Sequence, residues 1–290
     1  MMRKMMQWRK LSLLVVFLSM FMLLSVSNAS AAKDVELYGF VGGYIDLVKA
    51  GLVKAGTPDE KVKIPIPFFV IKHGKDYVVF DAGMSPTVAT DPVAAWGEKL
   101  TGWYKPIMKP EEALSSQLKT KLKLEPKNIK AIILSHGHLD HAGDLQAFKG
   151  VPVYVQKTEY DTIQKALDPT AGVLGYIVPD LKDANYKVIN GVVDFFGDGT
   201  VIIVPLTGHT MGLQGAIVKT AKKTFALVSD AVNFEEQLDK TIELNGPKDP
   251  ALALQELYIA QMLRLMGLEV VPMHDPDYWA KRTLAPKQLQ

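Results

Sequence analysis

The segment ILSHGHLDHAGD, residues 133–144, gathers three of the chain's six histidines, His136, His138 and His141, together with Asp140 and Asp144 inside nine positions. It follows the apolar β-like run IKAIILS, residues 129–135. On a helix, positions i and i+2 point about 200° apart, whereas on extended chain they share a side. His136 and His138 therefore suit a turn leaving a strand, where both can meet one ion, while Asp140 and His141, past the bend, face another. A lone pair of histidines could be an accident of a polar loop. Four ligand-type side chains in six residues point to metal.

The remaining histidines extend the pattern. His209 follows TVIIVPLTG (200–208), Asp230 follows TFALVS (224–229) and His274 follows LEVVPM (268–273). Each apolar run delivers a metal-competent side chain at its C-terminal end, where ligands bind in sheets with helical connections. His73 alone stays outside, in a hairpin turn expected across residues 73–76. Asp81, ending DYVVFDAG (76–83), has two readings: a carboxylate that orients the histidine loop, or a local turn former. Five histidines and two aspartates are too many donors for one tetrahedral zinc and suit two ions sharing a bridge. Residue count and loop order assign His136, His138 and His209 to one ion, Asp140, His141 and His274 to the other, and Asp230 to the bridge.

Around this constellation lie 290 residues, 48% hydrophobic and 22% charged, an ordinary globular composition. The first part stands apart. Four cations in MMRKMMQWRK precede an uncharged apolar run from Leu11 to Val26, and Ala29, Ser30 and Ala31 offer a small-residue cleavage pattern. Residues 1–31 read as a secretory signal peptide, too short in their apolar part for the roughly 20 residues of a comfortable span. Export to the periplasm or beyond, with no membrane insertion after cleavage, is the expectation. Removing Arg3, Lys4, Arg9 and Lys10 turns the net charge of +2 into −2, which gives nucleic acid little to bind. The absence of cysteine fits an oxidising compartment and restricts metal donors to nitrogen and oxygen.

From Val35 on there is no long linker or repeat. Strands come first, then strands mixed with helices, an α/β (α+β) order with sheets at the centre and helices outside. A helix is expected over KPEEALSSQLKTKL (109–122), with Pro110 and two acids in its first turn. Another is expected over DPALALQELYIAQMLRLMG (249–267), ended by Gly267.

These residues resemble the metallo-β-lactamase superfamily, whose mark is H-x-H-x-D-H after a strand and a later His, Asp and His. Within it the flanks look closest to the N-acyl homoserine lactonases: IPIPFFVIKHGKDYVVFDAGM (64–84), HLDHAGDLQAFKGVPVYVQKTEY (138–160), TGHTMGLQGAIV (207–218) and MHDPDYW (273–279). The resemblance implies a four-layer αββα sandwich over residues 32–290. It also implies a binuclear hydrolase whose metal-held hydroxide opens the lactone ring of N-acyl homoserine lactones. Zinc is the first expectation for both ions, with iron, cobalt and manganese admitted by the same donors. Asp140 would carry a proton to the leaving oxygen, or serve as a metal ligand alone. Asn233 stands where many such lactonases have a tyrosine that contacts the substrate carbonyl, and is the candidate donor here; it could instead cap the helix beginning FEEQL (234–238). Trp103 and Tyr104, between elements, are the preferred wall for an acyl chain over Phe68, Phe69 and Trp96. Other exported hydrolases of this fold, acting on phosphotriesters, β-lactams or other esters, form the alternative, and a non-catalytic zinc-binding envelope protein a further one. The partner is a small-molecule lactone or ester; the oligomeric state stays open, a homodimer included.

Overall fold

A computed structural model describes residues 31–290 apart from Gly172 and Ile177; the expected signal peptide, Ala31 excepted, lies outside the described residues. Two long strands open the fold, β1 (Val35–Val48) and β2 (Lys61–His73). They pair antiparallel, and β2 turns through Gly74 into β3 (Asp76–Phe80). Gly74 sits at φ 58, the left-handed region that a tight hairpin asks of glycine. With β4 (Lys105–Ile107), β5 (Ile129–Ile133), β6 (Pro152–Gln156) and β7 (Asn185–Ile189) these form one sheet in the order β4-β1-β2-β3-β5-β6-β7. The second sheet, in the order β12-β11-β10-β9-β8, comprises β8 (Val193–Asp194), β9 (Val201–Pro205), β10 (Gln214–Lys219), β11 (Thr224–Leu227) and β12 (Glu269–Val271).

Side chains along a strand alternate between faces, and the runs in β2, β3 and β5 are apolar on both. Phe69, Ile71, Val78, Phe80 and Ile133 face Val201, Ile203, Ala216, Val218 and Leu227 of the second sheet in one buried cluster. Their neighbours Phe68, Val70, Val79 and Ile132 pack the other way with Leu114, Leu118 and Ile163. Behind the second sheet, Ile202, Val204, Ile217 and Ala226 meet Leu257, Ala260 and Leu263. Helix, sheet, sheet and helix thus follow one another in four layers, as the resemblance implied.

Among the described residues, seven helices cover the flanks: α1 (Pro92–Trp103), α2 (Leu114–Gln117), α3 (Lys157–Ala166), α4 (Val178–Lys182), α5 (Glu235–Lys240), α6 (Pro250–Leu265) and α7 (Pro276–Ala280). In α6 the side chain of Asp249 accepts from the amides of Ala251 and Leu252, and Pro250 takes the first position, where its missing N–H costs nothing. Gly267, at φ 88, follows its end. Over 109–122 the expected single helix is broken instead into a 3₁₀ turn at Pro110–Glu112, the short α2 and a wide turn at Leu118–Leu122. The amide of Gln117 accounts for the break, donating to the carbonyls of Glu112 and of Val41 in β1, so tertiary bonds replace a regular ladder. No helix among the described residues is long and apolar enough to cross a membrane.

Candidate metal centre and its cavity

The ends of four strands meet at one edge of the sandwich. After β5 the chain runs through His136, His138, Asp140 and His141; β9 leads to His209, β11 to Asp230 and β12 to His274. The turn after β3 holds the histidine loop from below. Asp81 adopts φ 62 there, Ala82 donates its N–H to the carbonyl of His141 at 2.6 Å, and Gly143 donates to Gly83 at 2.7 Å. A Cβ on Gly143 would lie 2.0 Å from the backbone nitrogen of Ser85, so only glycine lets the two turns approach this closely.

The seven side chains expected to hold metal are brought together. His136, His138 and His209 offer one group of donor atoms, and Asp140, His141 and His274 another; His136, His141 and Asp230 form a third triad between them. The two oxygens of Asp230 face opposite ways. Oδ2 lies 3.3 Å from His209 Nε2 and 3.9 Å from His136 Nε2, while Oδ1 lies 3.1 Å from His141 Nε2 and 3.2 Å from His274 Nε2. Ligands about 2.0–2.2 Å from a tetrahedral ion stand roughly 3.3–3.6 Å from one another, and most of these separations fall close to that spacing.

The outer nitrogens of three of the rings are already engaged. His136 Nδ1 meets Ser135 Oγ at 3.0 Å, His141 Nδ1 meets Asp81 Oδ2 at 2.9 Å, and His274 Nδ1 donates to the carbonyl of Pro65 at 2.9 Å. Ser135 in turn donates its N–H and hydroxyl to Asp81 and accepts from Ser229 Oγ at 2.9 Å, which ties the loop of one sheet to the turn carrying Asp230 in the other. Left over, fully buried and without a hydrogen-bond partner, are His136 Nε2, His141 Nε2 and Asp230 Oδ1. Such orphaned atoms cost about 1–3 kcal/mol each in a protein interior, and all three point into the space between the two triads. The residues fit a pair of cations.

Charge leads to the same conclusion. Burial, with the neighbouring imidazoles, holds His136 well below the usual histidine range, and burial brings His209 down to about 4, so both are neutral with lone pairs free. Burial would lower His141 as well, yet the carboxylates of Asp140, Asp230 and Asp81 outweigh it and hold the ring well above its usual range. Among the described residues no lysine or arginine pairs with any of these three carboxylates. A buried cluster of this sign is compensated by divalent ions.

A cavity of about 330 Å³ opens onto the cluster. One wall is apolar, from Ile45 and Leu47 of β1, Leu52, Ile64 and Leu100; Trp96, Trp103 and Tyr104 close it, and Asp140, Asp230 and Asn233 border its floor. The structure places the expected aromatics differently: Trp103 and Tyr104 line the cavity as anticipated, Trp96 joins them, and Phe68 and Phe69 are fully buried core. Asn233 does not cap α5. Phe234 holds the cap position, while Gln237 Oε1 accepts from the amides of both Asn233 and Phe234. His73 pairs with Asp198 at 2.7 Å and stacks on Phe196, outside the cluster. Leu174 and Gly175, which also line the cavity, had no distinguishing signal in the sequence.

Two facing sheets between helices, with a His/Asp cluster at the strand ends, define a class of metal-dependent hydrolases, and the chain belongs to the metallo-beta-lactamase superfamily, whose profile matches residues 64–273. More particular likenesses follow. The N-acyl homoserine lactonase AttM of Azorhizobium caulinodans is 34% identical over 265 residues, covering 87% of this chain and 98% of that protein. The N-acyl homoserine lactonase AiiA of Bacillus thuringiensis subsp. kurstaki is 28% identical over 223 residues, 77% of this chain and 85% of its own. Among solved structures, an N-acyl homoserine lactone hydrolase with its product N-hexanoyl-L-homoserine bound at the catalytic metal centre superposes with a TM-score of 0.78 at 23% identity, over 89% of this chain and 99% of that one. AidC, a dizinc quorum-quenching lactonase, gives 0.63 at 18% identity, over 89% and 94%.

Proposed function

We propose that the protein is an N-acyl homoserine lactonase. The observation that carries this is the cavity: an apolar wall leads to a floor where Asp230 divides its two oxygens between two groups of histidines. The similarity to named lactonases over most of the chain supports the same substrate class.

His136, His138 and His209 would hold one divalent ion, Asp140, His141 and His274 the other, with Asp230 shared; nitrogen and oxygen donors at this spacing suit zinc. When bound, two such ions supply a hydrolytic water acidified to near neutrality and an electrophile for the ester carbonyl. The chain's own residues do the rest. Ile45, Leu47, Leu52 and Leu100 take the acyl chain and exclude water. Asn233 lies on the floor with its backbone held on both sides, its N–H by Gln237 and its carbonyl by the N–H of His274, so its amide is positioned to donate to the substrate carbonyl. Asp140, part-exposed at the cavity's edge, can pass a proton to the ring oxygen as it leaves.

Hydrolysis of short- and long-chain N-acyl homoserine lactones, followed by proton release with and without chelator, tests the reading. Chelator-sensitive ring opening is expected; intact lactones beside rapid turnover of a phosphotriester or cephalosporin overturn it. Asn233→Ala is expected to lower kcat by about 10²-fold with metal content unchanged. The signal reading of residues 1–31, with residues 32–290 as the exported hydrolase domain, is supported by the charge and apolar pattern there, and N-terminal sequencing of the protein recovered outside the cytoplasm tests it.

A further inference from the structure

Glu159, in the first turn of α3, is fully buried, and among the described residues no cation pairs with it. A carboxylate in such a place needs donors, and it has three. Oε1 accepts from the backbone N–H of Gly137 at 2.9 Å and from the hydroxyl of Tyr176 at 2.8 Å; Oε2 accepts from Thr210 Oγ1 at 2.7 Å. Each donor sits beside a candidate ligand or against one. Gly137 lies between His136 and His138, Thr210 follows His209, and the ring of Tyr176 packs edge-on against His138 with centroids 5.1 Å apart.

Close packing fixes the same three segments around this one side chain. A Cβ on Gly137 would lie 2.7 Å from the Tyr176 ring, and one on Gly212 would lie 2.1 Å from the backbone nitrogen of Glu159. Tyr176 pairs with His138 in an isolated bridge, and Leu139 donates its N–H to Gly175 at 3.0 Å. The wall of the cavity at Leu174 and Gly175 therefore hangs from the same carboxylate as the loops of His136, His138 and His209. His141 and His274 are held elsewhere, by Asp81 and by the carbonyl of Pro65.

We propose that Glu159 is a positioning residue for one half of the metal centre: it sets the geometry of the His136, His138 and His209 triad and, through Tyr176, of the cavity wall beside it. The inference rests on the two-ion reading given above. Neither Glu159 nor Tyr176 touches the reacting atoms. Their effect is on how tightly one ion is held and how well substrate seats, and outer partners of metal ligands typically contribute 10–100-fold in metal affinity.

The test is metal binding by the full chain, followed by competition with a chromophoric chelator using zinc alone, for the wild type, Glu159→Gln, Thr210→Val, Tyr176→Phe and His274→Ala, with thermal melts of each. Glu159→Gln is expected to keep one tight ion and to weaken the other 10–100-fold, Thr210→Val to weaken that same ion less, and His274→Ala to weaken the opposite one. Tyr176→Phe is expected to keep both ions and raise KM for lactone several-fold with kcat little changed. Two ions bound to Glu159→Gln with wild-type affinity overturn the proposal, as does equal weakening of both ions in step with a lowered melting temperature, which is what a merely structural carboxylate gives. Should Glu159→Gln not fold, Thr210→Val decides by the same criterion. If the wild type itself binds a single ion, the two-ion reading falls, and Glu159 stands or falls on whether its replacement weakens that ion.

Discussion

Asp81 shows how much one residue of the turn after β3 can carry. Its backbone occupies φ 62, a region that costs a non-glycine residue on the order of 1–3 kcal/mol. Its carboxylate receives the N–H and hydroxyl of Ser135 and faces His141 Nδ1. In the sequence the two readings of Asp81, turn former and orienting carboxylate, compete; in the structure it is both, because the left-handed turn is what aims the side chain at His141. Asp81→Asn keeps a residue tolerant of that φ but removes the charge and one acceptor. Catalytic efficiency and metal affinity are expected to fall 10–100-fold with the melting temperature little changed, as steady-state kinetics and chelator competition would measure. The ligands were legible because four of them, His136, His209, Asp230 and His274, follow apolar strand runs and the other three crowd within five residues of His136. Glu159, Ser229 and Tyr176 were not, since their roles depend on partners tens of residues away that only the tertiary fold brings into reach.

Among the elements, the segment over 109–122 teaches the opposite lesson. Proline, acids and spaced leucines specify a helix start faithfully, yet Gln117 finds a better acceptor in Val41 of β1 and the helix breaks around it. Local pattern gives the start of such an element; its continuation is decided by what it packs on. The turn that carries the histidine loop is equally unforgiving: Gly143→Ala places a methyl group against the backbone of Ser85 and is expected to lower both the melting temperature and the metal content. Near α4, burial and the neighbouring Asp144 push the Asp180 carboxyl up to about 7, and burial raises Asp144 to about 6. A carboxyl with a raised folded pKa binds its proton more tightly in the folded chain, so it lowers stability as pH climbs from about 4, the unfolded value, through the folded one. Asp180→Asn should therefore raise the melting temperature at pH 8 and leave it unchanged near pH 4; a gain of equal size at both values would show that ionisation is not the cause.

At the scale of the whole molecule, the cluster of His136, His141 and Asp230 leaves orphaned buried atoms that ions would satisfy, so metal should stabilise the fold strongly. A ligand at about 1,000 times its Kd contributes roughly 4 kcal/mol, which for a chain of this size is about 8–16 °C in melting temperature. A scan with and without chelator measures it, and coincident melts would mean the cluster holds no ion in solution. Four apolar strand runs each ending in a ligand made the architecture readable, because the same feature that packs the sheets also delivers the site. The cavity wall was half readable: Trp103 and Tyr104 stand out in the sequence, though Trp103 proves to be the last residue of α1 and not part of a loop, whereas Leu174 and Gly175 reach the cavity through their pairing with the histidine loop.

The two sheets also divide the chain by sequence. The first is built from residues 35–189 and the second from residues 193–271, and the donors divide with them, four before the junction and three after it. A nick at Asn190 and Gly191 would leave two fragments, each with its own sheet and an incomplete set of donors. Zinc would then act as a reporter of reunion, since neither fragment alone could complete either triad together with Asp230, and recovered turnover would count the pairs that had found each other.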